Sequence, residues 1–179
     1  RCAFSIAGRR ININLKNSNL EFINDELILY KDSKLVQVFR LNFDETSTFF
    51  YGDILSKGRS YEEFDFSSML IKNSFYSDKK LEYMEKFHIS GENLKDYTTR
   101  KKAKNKLFAK IYIKAQDNNS FLDLLHKKGF ESFTFSKDKE IIIASISHND
   151  MNNLKALVEN IWTLYRQNLN KKVFVLGKQ

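Results

Sequence analysis

The sequence has no proline, one cysteine and six glycines in 179 residues. Without proline there is no rigid corner of fixed φ, so turns and helix ends must be set by Asn, Asp, Ser and Gly. A single cysteine excludes an intramolecular disulfide and a cysteine-based zinc site. The glycines stand alone at 8, 52, 58, 91, 129 and 177, so no loop cradles phosphate. No apolar run approaches the roughly 18–20 residues that span a membrane. His88, His126 and His148 are not at metal-ligand spacing; each reads as a solvated or capping residue. His126 suits the last turn of a helix. No catalytic, cofactor-binding or metal-binding residue is expected, and no enzyme.

What is present is core material and positive charge. Hydrophobic residues make up 42% and aromatics 14%, which excludes global disorder. The net charge of +8 is unevenly spread: residues 1–99 hold 14 Lys/Arg against 15 Asp/Glu, and residues 100–179 hold 16 against 7. The densest run, Arg100-Lys101-Lys102-Ala103-Lys104-Asn105-Lys106, repels itself and marks a linker or solvated edge. The boundary between two units is placed there.

Residues 1–99 read as an antiparallel β-meander. Ile11, Ile13 and Leu15 alternate with polar residues, and β-favouring stretches at 20–23, 26–30, 35–41 and 46–51 are separated by short polar turns. Leu81, Met84 and Phe87 recur three apart with charged residues between. That spacing predicts a short amphipathic helix near 78–88, capped by Ser77 or Asp78. Glu62, Glu63 and Asp65 form an acidic turn that could meet the basic second half.

Residues 100–179 give strand, helix, strand, strand, helix, strand. The strands are expected at 107–114, 132–136, 140–146 and 173–176. The helices are expected at 117–128 and from about 150 onward, capped by Asp117, Asn118 or Asn119 and by Asn149 or Asp150. That order is the ferredoxin-like βαββαβ unit, with two helices on one face of a four-stranded antiparallel sheet. The fold class expected for the whole chain is thus α+β.

The helix-free face of this sheet would carry Phe108, Lys110, Tyr112 and Lys114. Aromatic and basic residues interleaved on an open sheet suit base stacking and phosphate contact. Ile111-Tyr112-Ile113-Lys114-Ala115 is loosely similar to the shorter motif of RNA-recognition motifs. The third strand, Lys139 to Ile146, has neither the aromatic nor the glycine of the longer one. A greasy face there calls for a protein cover, most simply the N-terminal meander.

The function expected is a non-catalytic interaction or scaffold protein that binds another protein or an anionic surface. Its candidate binding patch is Arg100, Lys101, Lys102, Lys104, Lys106, Lys110, Tyr112 and Lys114. The alternative is a nucleic-acid-binding module built on the same basic half. Arg1 in place of methionine reads as a trimmed or processed start. Cys2 is then either a small apolar residue or the lipid-attachment site of a bacterial cell-envelope lipoprotein, located at the envelope or in the periplasm. Trp162 reads as an edge-of-core residue beside the last helix's apolar stripe, or as a partner anchor.

Overall fold

The computed structural model describes residues 6–57, 63–100 and 106–174. The strands are β1 (Ile6–Asn14), β2 (Asn19–Ile28), β3 (Lys34–Phe43), β4 (Thr48–Ser56), β5 (Ser68–Ser77), β6 (Lys80–Ile89), β7 (Leu107–Lys114), β8 (Phe133–Phe135) and β9 (Ile142–His148). Helix α1 (Gly91–Arg100) precedes β7, α2 (Asn118–Lys127) follows it, and α3 (Met151–Asn168) follows β9. The chain is mixed α and β, dominated by sheet. One sheet, in the order β1-β3-β5-β6, lies over a second in the order β2-β4-β7-β9-β8.

The N-terminal strands do not form an antiparallel meander. β1 pairs parallel with β3, β3 with β5, and β2 with β4. Successive strands alternate between the two sheets, so each short turn is an arch from one layer to the other. Asn17 and Asp32 take positive φ in the first two arches. Turn chemistry of this kind signals a reversal. It does not say whether the returning strand pairs beside its predecessor or stacks across from it, and here it stacks.

The helix expected near 78–88 is strand β6. Asp78 and Lys79 both have positive φ and join β5 to β6 in a tight hairpin. The register then shifts: Tyr76 faces Leu81 and Phe75 faces Tyr83, leaving Glu82 as the extra residue. This bulge puts Leu81 and Met84 on one side although they are three apart. It accounts for the spacing of Leu81 and Met84, while Phe87, paired with Ile71, lies on the opposite, inward side.

In the second half, β7, α2, β8, β9 and α3 follow the expected order. β7 and β9 lie side by side in the sheet, and β4 flanks β7 antiparallel. β4 thus holds the place that the ferredoxin-like unit assigns to its fourth strand. Val173 and Phe174 are outside any strand, and 175–176 lie outside the described residues. The second sheet therefore draws two strands from the first half of the chain and three from the second.

Three packed regions follow. Between the sheets, Phe39, Leu41, Phe43, Phe49, Tyr51, Phe75, Tyr112 and Ile141 are buried together. Ring centroids there come as close as 4.0 Å for Phe39–Tyr51 and 4.7 Å for Phe75–Tyr112. On the other face of the second sheet, Ala109, Ile111, Ile113, Ile142 and Ala144 pack under Phe121 and Leu125 of α2 and Leu154, Val158, Ile161 and Trp162 of α3. β4 and β7 are covered on both faces, which explains their near-continuous apolar character. At one end of the sandwich, Leu94 of α1 joins Phe64, Phe66 and Met69. Gly91 opens this helix because a Cβ there would meet the Phe64 carbonyl oxygen at 1.9 Å.

Candidate functional site

The residue parity of the inner strands sets up a polar pocket inside the sandwich. On β3, Gln37 shares the inward side with Leu35 and Phe39. On β4, Asp53 shares it with Phe49 and Tyr51, and on β5, Asn73 shares it with Met69 and Phe75. Alternation places each of them between the sheets. β2 adds Asn24, β6 adds Glu85, and β7 adds Lys110 and Tyr112. Together with apolar neighbours these residues, Tyr112 apart, line a cavity of about 1040 Å³.

Hydrogen bonds organise this lining into two linked groups. The Tyr51 hydroxyl donates to Asp53 at 2.5 Å, and Gln37 Nε2 donates to the same carboxylate at 3.4 Å. Asn24 also donates to Asp53, and Arg9 donates to Asn24 Oδ1 at 3.2 Å. On the other side, Lys110 Nζ lies 2.9 Å from Glu85. The hydroxyls of Tyr112 and Tyr83 each donate to Glu85 at 3.3 Å. Asn73 joins the groups: its amide donates to the Tyr112 hydroxyl at 3.2 Å, and it also bonds Asp53. Its Oδ1 is buried without a partner.

Burial pushes the Asp53 carboxyl above the usual carboxylate range, against the pull of its hydrogen-bond donors. Burial and the neighbouring Glu85 charge raise Tyr83 to about 12 and drive Tyr112 higher still. The tyrosines therefore stay protonated and act as donors. The lining has no histidine and no cysteine, so it holds no nucleophile–base pair of those types. No group of three or more His, Cys, Asp and Glu that could hold a metal ion occurs among the described residues. The arrangement can hold water or a small polar solute between two tethered carboxylates.

The described members of the expected basic patch, Arg100, Lys106, Lys110, Tyr112 and Lys114, do not share one exposed surface. Lys101, Lys102 and Lys104 lie outside the described residues, as does Cys2. Arg100 is exposed at the end of α1 and pairs with Asp96 one turn earlier. Lys106 pairs with Glu63 at 2.9 Å, so the acidic turn does meet the basic segment. Lys110 points into the cavity. Lys114 is buried over the Phe43 ring and lies 3.6 Å from Glu140. Tyr112 has no solvent exposure, so it offers no stacking surface for a base.

Other expected positions have structural uses. Trp162 is buried, and its Nε1 donates to Glu21 at 2.7 Å. Arg166 and Lys171 bind the same carboxylate, tying α3 to β2. His126 Nε2 lies 2.9 Å from the Phe133 carbonyl, and His148 Nδ1 accepts from the Asp150 amide. Asp117 and Asp150 cap α2 and α3. The sequence reading missed Asn24, Gln37, Asp53, Asn73 and Glu85. The available signal was a polar residue at the inward parity of an otherwise apolar strand.

The sequence that builds this site matches a known family. Residues 6–176 match the model of the UreD urease accessory protein family. The chain belongs to the UreD family. It is 60% identical over 172 residues to the urease accessory protein UreD of Aliarcobacter butzleri, covering 96% of this chain and 69% of that protein. It is 30% identical over 121 residues to the UreD of Staphylococcus epidermidis, covering 62% of this chain and 41% of that protein. Over 73 residues it is 36% identical to the UreD of Ureaplasma urealyticum, 25% of whose length is covered. Membership places the chain among urease accessory proteins, in keeping with the accessory or scaffold role expected from the sequence. No helix among the described residues is long and apolar enough to cross a membrane.

Proposed function

We propose that this chain supports urease as a non-catalytic accessory protein and works by binding other proteins. The observation that carries this reading is the family match across both sheets and all three helices. The interior supports it: the cavity's carboxylates are engaged by tyrosine, amide and lysine donors rather than by a general base. Its partners are drawn from urease and the proteins that assist it. The lipoprotein expectation rested on Arg1 and Cys2, outside the described residues, and is not carried into this proposal.

The test is urease activity in cells that make urease and its helper proteins with and without this chain. Loss of activity with urease protein levels maintained, restored by supplying the chain, is the expected outcome. Full activity in its absence would overturn the reading.

A further inference from the structure

The two sheets differ in what covers their outer faces. α2 and α3 lie over the second sheet. The outer face of the first sheet is bare, and register fixes which residues share it. Arg10, Val38, Lys72 and Lys86 form one row across all four strands. Gly8, Val36, Leu70 and His88 form the row on one side, and Asn12, Arg40, Ser74 and Met84 the row on the other. Their odd-numbered neighbours on β3 and β5, and Tyr83 and Glu85 on β6, face inward.

No carboxylate stands in these three rows. Arg10, Arg40, Lys86 and His88 are exposed, and Lys72 is half-buried between Val38 and Lys86. None of the four Lys and Arg side chains has an ion pair among the described residues. Arg40 instead lies 4.1 Å over the Tyr76 ring and donates to Asn42. By contrast, Lys95, Lys106, Lys110, Lys114, Lys155, Arg166 and Lys171 all hold carboxylates. Glu21, Glu26, Glu63, Asp65 and Glu85 of the first half hold cations of that set, and Asp53 faces the interior. The outer face of the first sheet thus gathers four cations in adjoining rows with no carboxylate among them.

We propose that the outer face of the β1-β3-β5-β6 sheet docks a protein partner through an Asp/Glu-rich surface, with Arg10, Lys72, Lys86 and Arg40 as its charged contacts. This deepens the reading above and rests on its claim that the chain binds protein. Val36, at 43% exposure, and Met84, at 47%, sit between the cations with Val38 and Leu70. Such apolar residues give a protein contact a dry centre. They are of little use against a phosphate backbone. Tyr76, the aromatic side chain beside these rows, already has its ring covered by Arg40, so the face lacks a stacking platform for bases.

The test uses the full chain and poly-L-glutamate as the acidic polypeptide, with a 20-base-pair DNA duplex as comparator, at about 0.15 M salt where exposed charges act over about 8 Å. The double reversal K72E/K86E should weaken poly-L-glutamate binding about tenfold or more, with salt-dependent affinity in the parent chain. The reversal K127E/K128E, at the exposed end of α2, should leave it within about twofold. Equal loss in both variants, or no loss in K72E/K86E, overturns the proposal. Tighter binding of the duplex, lost in K72E/K86E, overturns it in favour of nucleic acid. Circular dichroism and thermal melts confirm that both variants fold.

In the urease-activation assay above, K72E/K86E should lower activation and K127E/K128E should not. Activation unchanged in K72E/K86E while deletion abolishes it leaves the accessory role standing and removes this surface from it.

Discussion

The two halves of the chain carry charge in opposite ways. The second half holds the excess of Lys and Arg, yet six of its described cations, Lys106, Lys110, Lys114, Lys155, Arg166 and Lys171, are matched by carboxylates, four of which come from β2, β6 and the turn before β5. The first half is nearly neutral by count, yet it exposes an unmatched basic sheet. Net charge along a sequence therefore does not locate a field. The field depends on which strand parity the carboxylates occupy. In this fold the inward positions take Asp53 and Glu85 out of solvent, while the outward rows of the same layer pair arginine and lysine with valine and asparagine.

The sharpest way to break that comparison is to truncate on the closed side and on the open side. Trp162→Ala removes a fully buried ring and the Nε1 donor to Glu21, and should cost about 3–5 kcal/mol in chemical denaturation. Met84→Ala on the open face should stay within about 0.5 kcal/mol. Similar costs at the two sites would mean that the outer face of the first sheet is not bare.

Next comes Glu21→Ala, which strands Arg166 and Lys171 and unties α3 from β2. Its expected cost is about 2–3 kcal/mol, measured the same way. Although burial raises the Glu21 pKa, the three donors together hold it below the ordinary 4.5. The stability it contributes is therefore full above pH 4.5 and is lost as pH falls through the lower folded value.

A smaller contrast lies between lysines. Lys114→Gln, which loses the Glu140 pair and disturbs a buried stem over Phe43, should destabilise by about 1 kcal/mol. Lys86→Gln should be neutral within about 0.5 kcal/mol, because nothing in the fold holds its charge.

The smallest effect is at Asp44. It accepts from the Asn17 and Ser47 amides and from the hydroxyls of Ser47 and Thr46, joining the β1–β2 and β3–β4 arches. These bonds lower its pKa from 3.8 to about 2, with the Ser47 hydroxyl contributing most. Its contribution is complete above about pH 4 and disappears between 4 and 2. Asp44→Asn should flatten that limb of the melting-temperature profile by lowering the melting temperature slightly above pH 4, with little change near pH 2.

The second half was largely legible because its helices announce themselves. Asp117 and Asp150 cap them, Gly129 ends α2 at a φ of +86°, and Leu154, Val158, Ile161 and Tyr165 keep helical spacing. The first half was legible strand by strand but not in its pairing. The arches at Asn17 and Asp32 have the residues of hairpin turns, and sheet membership is a long-range property that local turn chemistry does not encode. The β6 bulge at Glu82 then imposed a period of three on Leu81 and Met84 and disguised a strand as a helix. The polar pocket was hidden for the same reason. Gln37, Asp53 and Asn73 lie far apart in sequence and meet only once β3, β4 and β5 are assigned to opposing layers.

Amine-selective labelling of the folded chain, read residue by residue by mass spectrometry, tests the charge segregation most directly. Lys86 should be modified at the rate of a free surface amine, Lys72 close behind, and Lys114 at least about tenfold more slowly because it is buried over the Phe43 ring and paired with Glu140. Lys114 reacting as fast as Lys86 would contradict the inward face of β7, and with it the claim that β7 carries its lysines inside the fold.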